Sequence, residues 1–187
     1  MAKRISNIVL EDVNIPFKNF QGKKTEGNPQ GRRQFCVKLD WDLAQKLKND
    51  GWNVKVYSYN EEEYRDLLAD GWNVKFKRSD DPDRDALVFL QVTVRFDNYP
   101  PKIIMRTKKN EVFLDESGMR DLDESTFSKV NVIINPYSWK NTRGEEGITA
   151  YLNTLYVVVD ERPLDRWRND YPIQNDNYPI QNDDYPF

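Results

Sequence analysis

An alternation of apolar residues between Leu87 and Phe96 restricts the fold of this chain more than any other feature. Every second residue from Val88 to Phe96 is apolar, whereas the residues between them are mixed. A period of two places successive side chains on opposite faces of a strand. The run therefore predicts a central β-strand with one face in the core.

The same period recurs in shorter segments along the chain, and turn-forming residues separate them. Glycine, proline and charged residues between the segments are typical of turns and loops. The pattern favours a mainly β fold, an OB-like β-barrel with short inserted helices, and a β-sandwich is the alternative. The other predicted strands cover residues 5–17, 32–39, 102–108, 112–114, 130–137 and 147–159.

A six-residue duplication lies between the second and the central predicted strands. Asp50–Lys55 reads DGWNVK, and Asp70–Lys75 repeats it. Each copy follows a predicted helix, the first capped by Asp40 and the second by Asn60 with Glu63 in a capping box. The glycine of each copy stands where a helix end favours a positive φ. The duplication predicts two helix–turn–strand units inserted between strands.

The last part of the chain repeats with a period of seven. Tyr171–Asn177 is followed by Tyr178–Asp184, and the third copy stops at Tyr185–Phe187. The prolines exclude a coiled coil, and the polar composition predicts an extended, disordered arm. We therefore expect an OB-like domain over residues 1–163 and a flexible tail over residues 164–187.

The charge of the chain is divided unevenly between these two parts. The net charge is −3, and residues 171–187 contain three aspartates and no lysine or arginine. The remaining residues carry equal numbers of acidic and basic side chains, 28 of each. An acidic arm on a body with basic patches indicates either docking on a partner or shielding of a polyanion site.

The residue types argue against catalysis. Histidine is absent and Cys36 is the only cysteine, so neither a histidine base nor a cysteine-cluster zinc site is available. The acidic residues show no spacing typical of a metal site. We expect no enzyme activity, no cofactor and no metal. A single cysteine, with no predicted signal peptide or membrane span, suits a cytoplasmic protein.

Binding of single-stranded nucleic acid needs cations for the phosphates and aromatic rings for the bases. Phe20 and Trp139 are favoured for stacking because their polar loops offer no obvious core, whereas for Phe17 and Tyr151 a core position is favoured. The candidate nucleic-acid-binding residues are Phe17, Lys18, Phe20, Lys23, Lys24, Arg32 and Arg33 in the first hairpin, Lys102, Arg106 and Lys108 on one strand face, and Tyr137, Trp139, Lys140 and Arg143 in a late loop.

The C-terminal tip carries a resemblance. Asp183, Asp184, Tyr185, Pro186 and Phe187 resemble the acidic tip of bacterial single-stranded-DNA-binding proteins, although Tyr185 replaces an aliphatic residue. In that family the body is an OB fold and the tip recruits replication, recombination and repair enzymes. The resemblance implies a partner-binding role for these five residues.

The body instead resembles single-stranded-DNA-binding proteins encoded by tailed phages. This resemblance implies an OB-type protein that binds ssDNA without base preference in the cytoplasm of a bacterial host. The resembling stretches are Phe17–Gly22, Asp50–Lys55, Pro100–Lys102, Asn135–Trp139 and Gly147–Leu152.

Three other functions remain open at this point. The chain could be an interaction or inhibitor protein that mimics the host tip without binding DNA, an OB protein that binds RNA, or a nuclease, although the residue types argue against catalysis. Self-association into a homo-oligomer is also left open by the sequence.

Overall fold

A computed structural model describes residues 5–161, which form a mainly β domain with short helices, as predicted. The predicted tail, its boundary after residue 163 and the tip at 183–187 lie outside the described residues. The strands are β1 (Ile8–Leu10), β2 (Phe17–Asn19), β3 (Gln34–Lys38), β4 (Val54–Ser58), β5 (Asn73–Phe76), β6 (Leu87–Thr93), β7 (Lys102–Arg106), β8 (Glu111–Leu114), β9 (Phe127–Lys140) and β10 (Glu146–Val159). The helices are α1 (Trp41–Asn49), α2 (Glu61–Ala69) and α3 (Met119–Glu124), and a 3₁₀ turn (Glu116–Gly118) precedes α3.

The main sheet closes on itself through the residues after β1. Its strands follow the order β1-β9-β10-β6-β3, and the β10–β6 pair is parallel. Beyond β1, the amide of Val13 donates to the carbonyl of Val130 at 3.0 Å, and the amide of Lys38 donates to the carbonyl of Asn14 at 2.9 Å. The segment thus joins β9 to β3 and completes a five-stranded barrel of the OB type.

Additional strands extend this barrel at three places. β2 pairs with β3, and the β7–β8 hairpin pairs in parallel with the second half of β10. β4 pairs with β6, and β5 lies parallel to β4 as an outer strand. These additions widen the outer surface of the barrel on both sides of β6.

The core lies inside the barrel and follows the predicted alternation. On β6, Val88, Leu90 and Val92 are buried, and they confirm the inward face of the central strand. The inward residues of the neighbouring strands include Phe35 and Val37 on β3, Ile103 on β7, Val132 and Ile134 on β9, and Leu152, Leu155 and Val157 on β10.

The single strand predicted for residues 5–17 is wrong. The chain breaks at Asp12, whose φ of 51° is outside the range of a strand. The amide of Asp12 is held by the side-chain oxygen of Asn131 at 2.9 Å. Leu10 is buried before the break, and Val13 packs against the core after it, so the inward face changes from even to odd positions.

The two duplicated units fold as predicted and lie side by side. Gly51 and Gly71 follow their helices with φ of 91° and 79°. Trp52 and Trp72 then turn into the core, where each is less than a tenth exposed. The two strands that follow pair directly, so the duplication builds a parallel extension of the barrel.

The predicted helix caps are present, with one difference in the second. Asp40 accepts the amide of Leu43 at 2.8 Å, and Asn60 accepts the amides of Glu62 and Glu63. The carboxylate of Glu63 accepts the hydroxyl of Ser58 at 2.9 Å rather than the Asn60 amide. The capping box is therefore only half formed, because a buried serine competes for the carboxylate.

No helix within residues 5–161 is long and apolar enough to cross a membrane.

Candidate nucleic-acid interface

An open groove of about 680 Å³ crosses the outer face of β3 and β6. Strand register places Phe17 opposite Cys36, and Cys36 opposite Gln91, so these side chains share that face. Strands β4 and β5 form one wall of the groove, and the β2–β3 loop forms the other. The face of strands 2 and 3 is where OB folds bind oligonucleotides, and β3 and β6 occupy those positions in this barrel.

Three aromatic rings from distant parts of the chain meet in the groove. The ring centroid of Tyr57 lies 5.9 Å from that of Phe17 and 4.8 Å from that of Phe89, both in edge-to-face geometry. Phe89 is buried and supports the other two, whereas Phe17 is 44% exposed. Burial raises the pKa of Tyr57, with the Cys36 and Tyr59 charges adding to the effect, so the phenol stays neutral. Phe17 and Tyr57 are therefore the rings available for stacking.

Lysines surround this aromatic group. The ammonium of Lys77 lies 5.0 Å from the centre of the Tyr57 ring, and Lys75 is the register partner of Tyr57 on β5. Lys23 approaches from the β2–β3 loop. The carboxylates among the lining residues are Glu26 and Asp123. The carboxylate of Asp123 accepts hydrogen bonds from the backbone amides of residues 20 and 21, so both of its oxygens already have partners within the protein.

The groove floor holds a chain of polar side chains. The ammonium of Lys55 donates to the Gln91 carbonyl at 2.7 Å, and the Gln91 amide donates to Gln34. Burial lowers the pKa of Lys55, partly opposed by Cys36. Burial likewise raises the pKa of the Cys36 thiol to about 11, with Lys55 opposing. The thiol is neutral at physiological pH and serves as a small floor residue.

A second basic and aromatic cluster continues the same face. The guanidinium of Arg95 lies 5.4 Å from the centre of the Tyr151 ring, and its Nη1 donates to the phenol oxygen at 3.4 Å. Tyr151 is the register partner of Thr93. Thr93 is the next residue after Gln91 on the outward face of β6. Arg32 and Arg33 line the adjacent depression, which has a volume of about 430 Å³. The groove and this cluster therefore form one surface.

The β9–β10 hairpin ends this surface with exposed rings. Tyr137 lies 5.6 Å from Tyr151 between ring centroids and is 56% exposed. Trp139 covers Gly147, where a Cβ would stand only 2.8 Å from the indole, so the glycine permits this contact. This hairpin joins strands 4 and 5 of the OB barrel, and that loop contributes to oligonucleotide binding in OB folds.

The structure brings most of the predicted residues onto this surface. Phe17 and Lys23 line the groove, and Arg32 lines the adjoining depression. The core position favoured for Phe17 and Tyr151 is wrong, because both side chains point to the outer face of the sheet. The exposed residues Lys24, Lys140 and Arg143 extend from the two loops that flank the surface.

Phe20 and Lys18 are placed differently from the prediction. Phe20 is fully buried and stacks on Phe35 at 5.1 Å between centroids, so the prediction that Phe20 contacts bases is wrong. The Lys18 ammonium donates to the carbonyls of Leu122 and Ser125, which leaves it bound to the segment around α3. Burial lowers the pKa of Lys18, partly opposed by Asp123. Lys18 therefore holds the fold together rather than presenting a free charge.

The guanidinium of Arg33 also makes contacts within the protein. Its guanidinium pairs with Glu116 at 2.8 Å and lies 5.5 Å from the centre of the Phe96 ring. A guanidinium has five donors, so one ion pair leaves capacity for a phosphate.

The predicted strand-face residues Lys102, Arg106 and Lys108 lie elsewhere. The first two are on β7, and Lys108 is in the turn to β8. β7 pairs with the second half of β10, beyond the residues that line the groove and the adjoining depression. These cations belong to a separate part of the barrel surface.

Sequence reasoning missed the groove residues that come from the inserted strands. The omitted residues are Lys55, Tyr57, Lys75, Lys77, Phe89 and Gln91. A signal was present, because both duplicated units place a lysine, then a basic or aromatic residue, on alternate positions after the tryptophan. Only the pairing of β4 with β6 shows that this alternate face joins the groove.

Among residues 5–161, no group of three or more cysteine or acidic side chains is arranged to hold a metal ion.

A closed OB-type barrel with a basic and aromatic groove defines a class of oligonucleotide-binding domains. The family model for the phage ssDNA-binding domain matches residues 1–69 and 64–187 of this chain. The chain belongs to this family of phage ssDNA-binding domains.

Comparison with solved structures gives distant similarities. The single-stranded DNA-binding protein from bacteriophage Enc34, in complex with ssDNA, shares 13% identity at a TM-score of 0.44, over 82% of this chain and 86% of that one. The gp2.5 single-stranded DNA binding protein encoded by bacteriophage T7 shares 14% identity at a TM-score of 0.39, over 95% of this chain and 100% of that one. A search of curated protein sequences found no match.

Proposed function

We propose that this chain binds ssDNA in the groove between the β2–β3 loop and β5, without preference for base sequence. One observation is the main support for the groove as the ssDNA-binding site. The exposed ring of Phe17 and the partly exposed ring of Tyr57 lie beside Lys75 and Lys77 in one open groove. Rings for bases next to cations for phosphates are what a single strand requires.

Each part of the groove has a separate role in this proposal. Bases stack on Phe17 and Tyr57, and each stacked base contributes about 1–3 kcal/mol whatever its identity. Phosphates lie along Lys23, Lys75 and Lys77 at the rims. The strand then passes Arg95 and Tyr151 toward the exposed rings of the β9–β10 hairpin.

We further propose that DNA binding serves phage replication, recombination and repair, with no enzymatic step. In this proposal the tip at Asp183–Phe187 recruits host or phage enzymes, because it combines two carboxylates with a terminal apolar ring. The combination fits a pocket with an apolar floor and a basic rim.

Titration of the full chain with a fluorescent oligo-dT at two salt concentrations tests the groove. We expect binding that weakens as salt rises, and a loss of affinity of about 1–3 kcal/mol in Tyr57→Ala. Tyr64→Ala is the matched control, because Tyr64 packs on Phe76 at 6.1 Å and lies outside the groove lining. Salt-insensitive binding, or none, would exclude the proposal.

The same titration separates the alternatives. An inhibitor that mimics the host tip would bind no oligo-dT but would still capture repair enzymes, and deletion of Phe187 would abolish that capture. An RNA-binding protein would prefer oligo-U over oligo-dT in direct competition. Cleavage of labelled ssDNA in the presence of Mg²⁺ would show an enzyme instead.

A further inference from the structure

A second outward-facing cluster lies farther along β10, beside β7, which carries the predicted cations Lys102 and Arg106. Tyr156 is on the same outer side of β10 as Tyr151, because Leu152, Leu155 and Val157 all point into the core. The two tyrosines are separated by about 16 Å of strand. Both are only partly buried.

The two tyrosines make the same kind of contact with an arginine. Nη1 of Arg106 donates to the phenol oxygen of Tyr156 at 3.5 Å, and Nη1 of Arg95 donates to that of Tyr151 at 3.4 Å. Arg106 is on β7 and Arg95 lies two residues after the end of β6, and both strands pair in parallel with β10. β6 and β7 pair with successive parts of β10, so the two arginine–tyrosine pairs lie one after the other along β10.

More rings and cations surround the second pair. Phe113 is 65% exposed on β8, and the Lys102 ammonium lies 5.4 Å from the centre of its ring. Exposed Lys129 is the register neighbour of Val158 on the other side of β10. Glu111, the register partner of Arg106, adds a carboxylate to this face. The lateral face, defined as Lys102, Arg106, Phe113, Lys129 and Tyr156, is therefore basic and aromatic.

We propose that the lateral face is a second ssDNA-binding station, reached by a strand that leaves the groove and continues along β10. This inference rests on the proposed function of the groove. Its support is the continuity of the outer side of β10 and the cations around the rings of Phe113 and Tyr156, which complement a phosphate chain. A strand long enough to pass Tyr151 then stacks on Tyr156 and Phe113.

Two lengths of oligo-dT test this station on the full chain. One has about 6 nucleotides and the other about 20, near the lower and beyond the upper end of OB-fold site sizes. We expect Tyr156→Ala to weaken the long oligonucleotide at least about fivefold, as loss of one stacking ring does, and to leave the short one unchanged. Tyr156→Phe keeps the ring and should bind both like the wild type.

Lys102→Glu provides an independent variant at an exposed position. It should weaken the long oligonucleotide alone, and Tyr64→Ala should change neither length. Unchanged binding of the short oligonucleotide shows in each case that the barrel is folded. Loss of both lengths to the same extent would overturn the second station, because the effect would then arise in the groove or from misfolding.

Three other outcomes would also decide whether the lateral face binds ssDNA. If the wild type binds both lengths and Tyr156→Ala binds both equally well, the lateral face is not a DNA station and the groove proposal stands. If Tyr156→Ala instead changes the mass of the protein in sedimentation without DNA, the face joins two copies of the chain and the inference is wrong. If the wild type binds neither length, both proposals fail together.

Discussion

Single residues in this barrel have roles that their type alone does not reveal. Phe17 and Phe20 are three positions apart, yet the first is exposed in the groove and the second is completely buried. Cys36 lies on the outward side of β3 and is nevertheless buried by the side chains around it. Their different surroundings give each residue a separate and measurable property.

The Cys36 thiol should react slowly in the native protein. Its pKa is raised from 9.0 to about 11 by burial, so the thiolate fraction at pH 8 falls about 100-fold relative to the unfolded chain. We expect iodoacetamide to alkylate native Cys36 at least that much more slowly than the chain in urea, as followed by mass spectrometry. Equal rates would show that the thiol is not desolvated.

The same shift has a consequence for stability at high pH. A raised pKa in the folded state favours folding fully below about pH 9, and that contribution is lost as pH rises through about 11. Urea unfolding at pH 8 and pH 10.5 should therefore show a larger loss for the wild type than for Cys36→Ala. A parallel loss in both proteins would contradict this assignment.

Phe20 should affect stability and leave the groove rings in place. Its ring is fully buried on Phe35, so Phe20→Ala should lower the free energy of unfolding by about 3–5 kcal/mol. Phe17→Ala removes a ring that is 44% exposed and should cost much less stability while weakening oligo-dT binding. Urea unfolding and oligo-dT titration of both variants give the comparison, and a reversed order would contradict it.

The inserted elements add one wall to the groove on the outer face of the barrel. Each duplicated unit ends its helix at a glycine with positive φ and then anchors a tryptophan in the core. This arrangement sets the strand that follows, β4 in one unit and β5 in the other, beside the groove. The helix ends therefore position the groove lysines of the strands that follow, Lys55 on β4 and Lys75 on β5.

Gly71→Ala tests this arrangement at the level of one element. Its φ of 79° is unfavourable for a side chain, and the nearest atom that a Cβ would meet is the Lys48 ammonium at 3.9 Å. Space is therefore available, and the cost is conformational, about 1–2 kcal/mol of unfolding free energy. Thermal unfolding should show it, with Gly144→Ala, in the β9–β10 turn at a φ of 82°, as a second positive-φ site of comparable cost.

At the scale of the whole molecule, the described domain combines a basic groove with an acidic insertion. Helix α2 begins with Glu61, Glu62 and Glu63, and the turn before β6 is rich in aspartate. The groove instead carries lysines, and those on its β4 and β5 wall, Lys55 and Lys75, belong to the same insertion. The net charge of the body is close to zero because two oppositely charged regions cancel. DNA should be attracted to the basic groove despite this balance.

The salt dependence of binding should report the number of groove lysines in contact with phosphates. Loss of one phosphate contact reduces the slope of log K against log salt by about 0.7 for a single strand. The double variant Lys75→Gln and Lys77→Gln should therefore reduce the slope by about 1.4. Lys46→Gln, an exposed lysine on α1 outside the groove lining, is the control and should leave the slope unchanged.

The sequence alone determined the features that depend on near neighbours. The alternation in β3 and β6 identified their inward faces, Asp40 and Asn60 identified the helix starts, and the two glycines identified the helix ends. These features follow from backbone geometry and local hydrogen bonds, which act within a few residues.

Only the tertiary structure decided which outward side chains share a surface. The register between β4 and β6 brings Tyr57 to Phe89 and Phe17, and contact with Phe35 and α3 removes Phe20 from solvent. Pairing of strands far apart in the chain depends on how the whole barrel buries its core, so no local pattern specifies it. The strands could be predicted one by one, whereas the groove forms only where they pair.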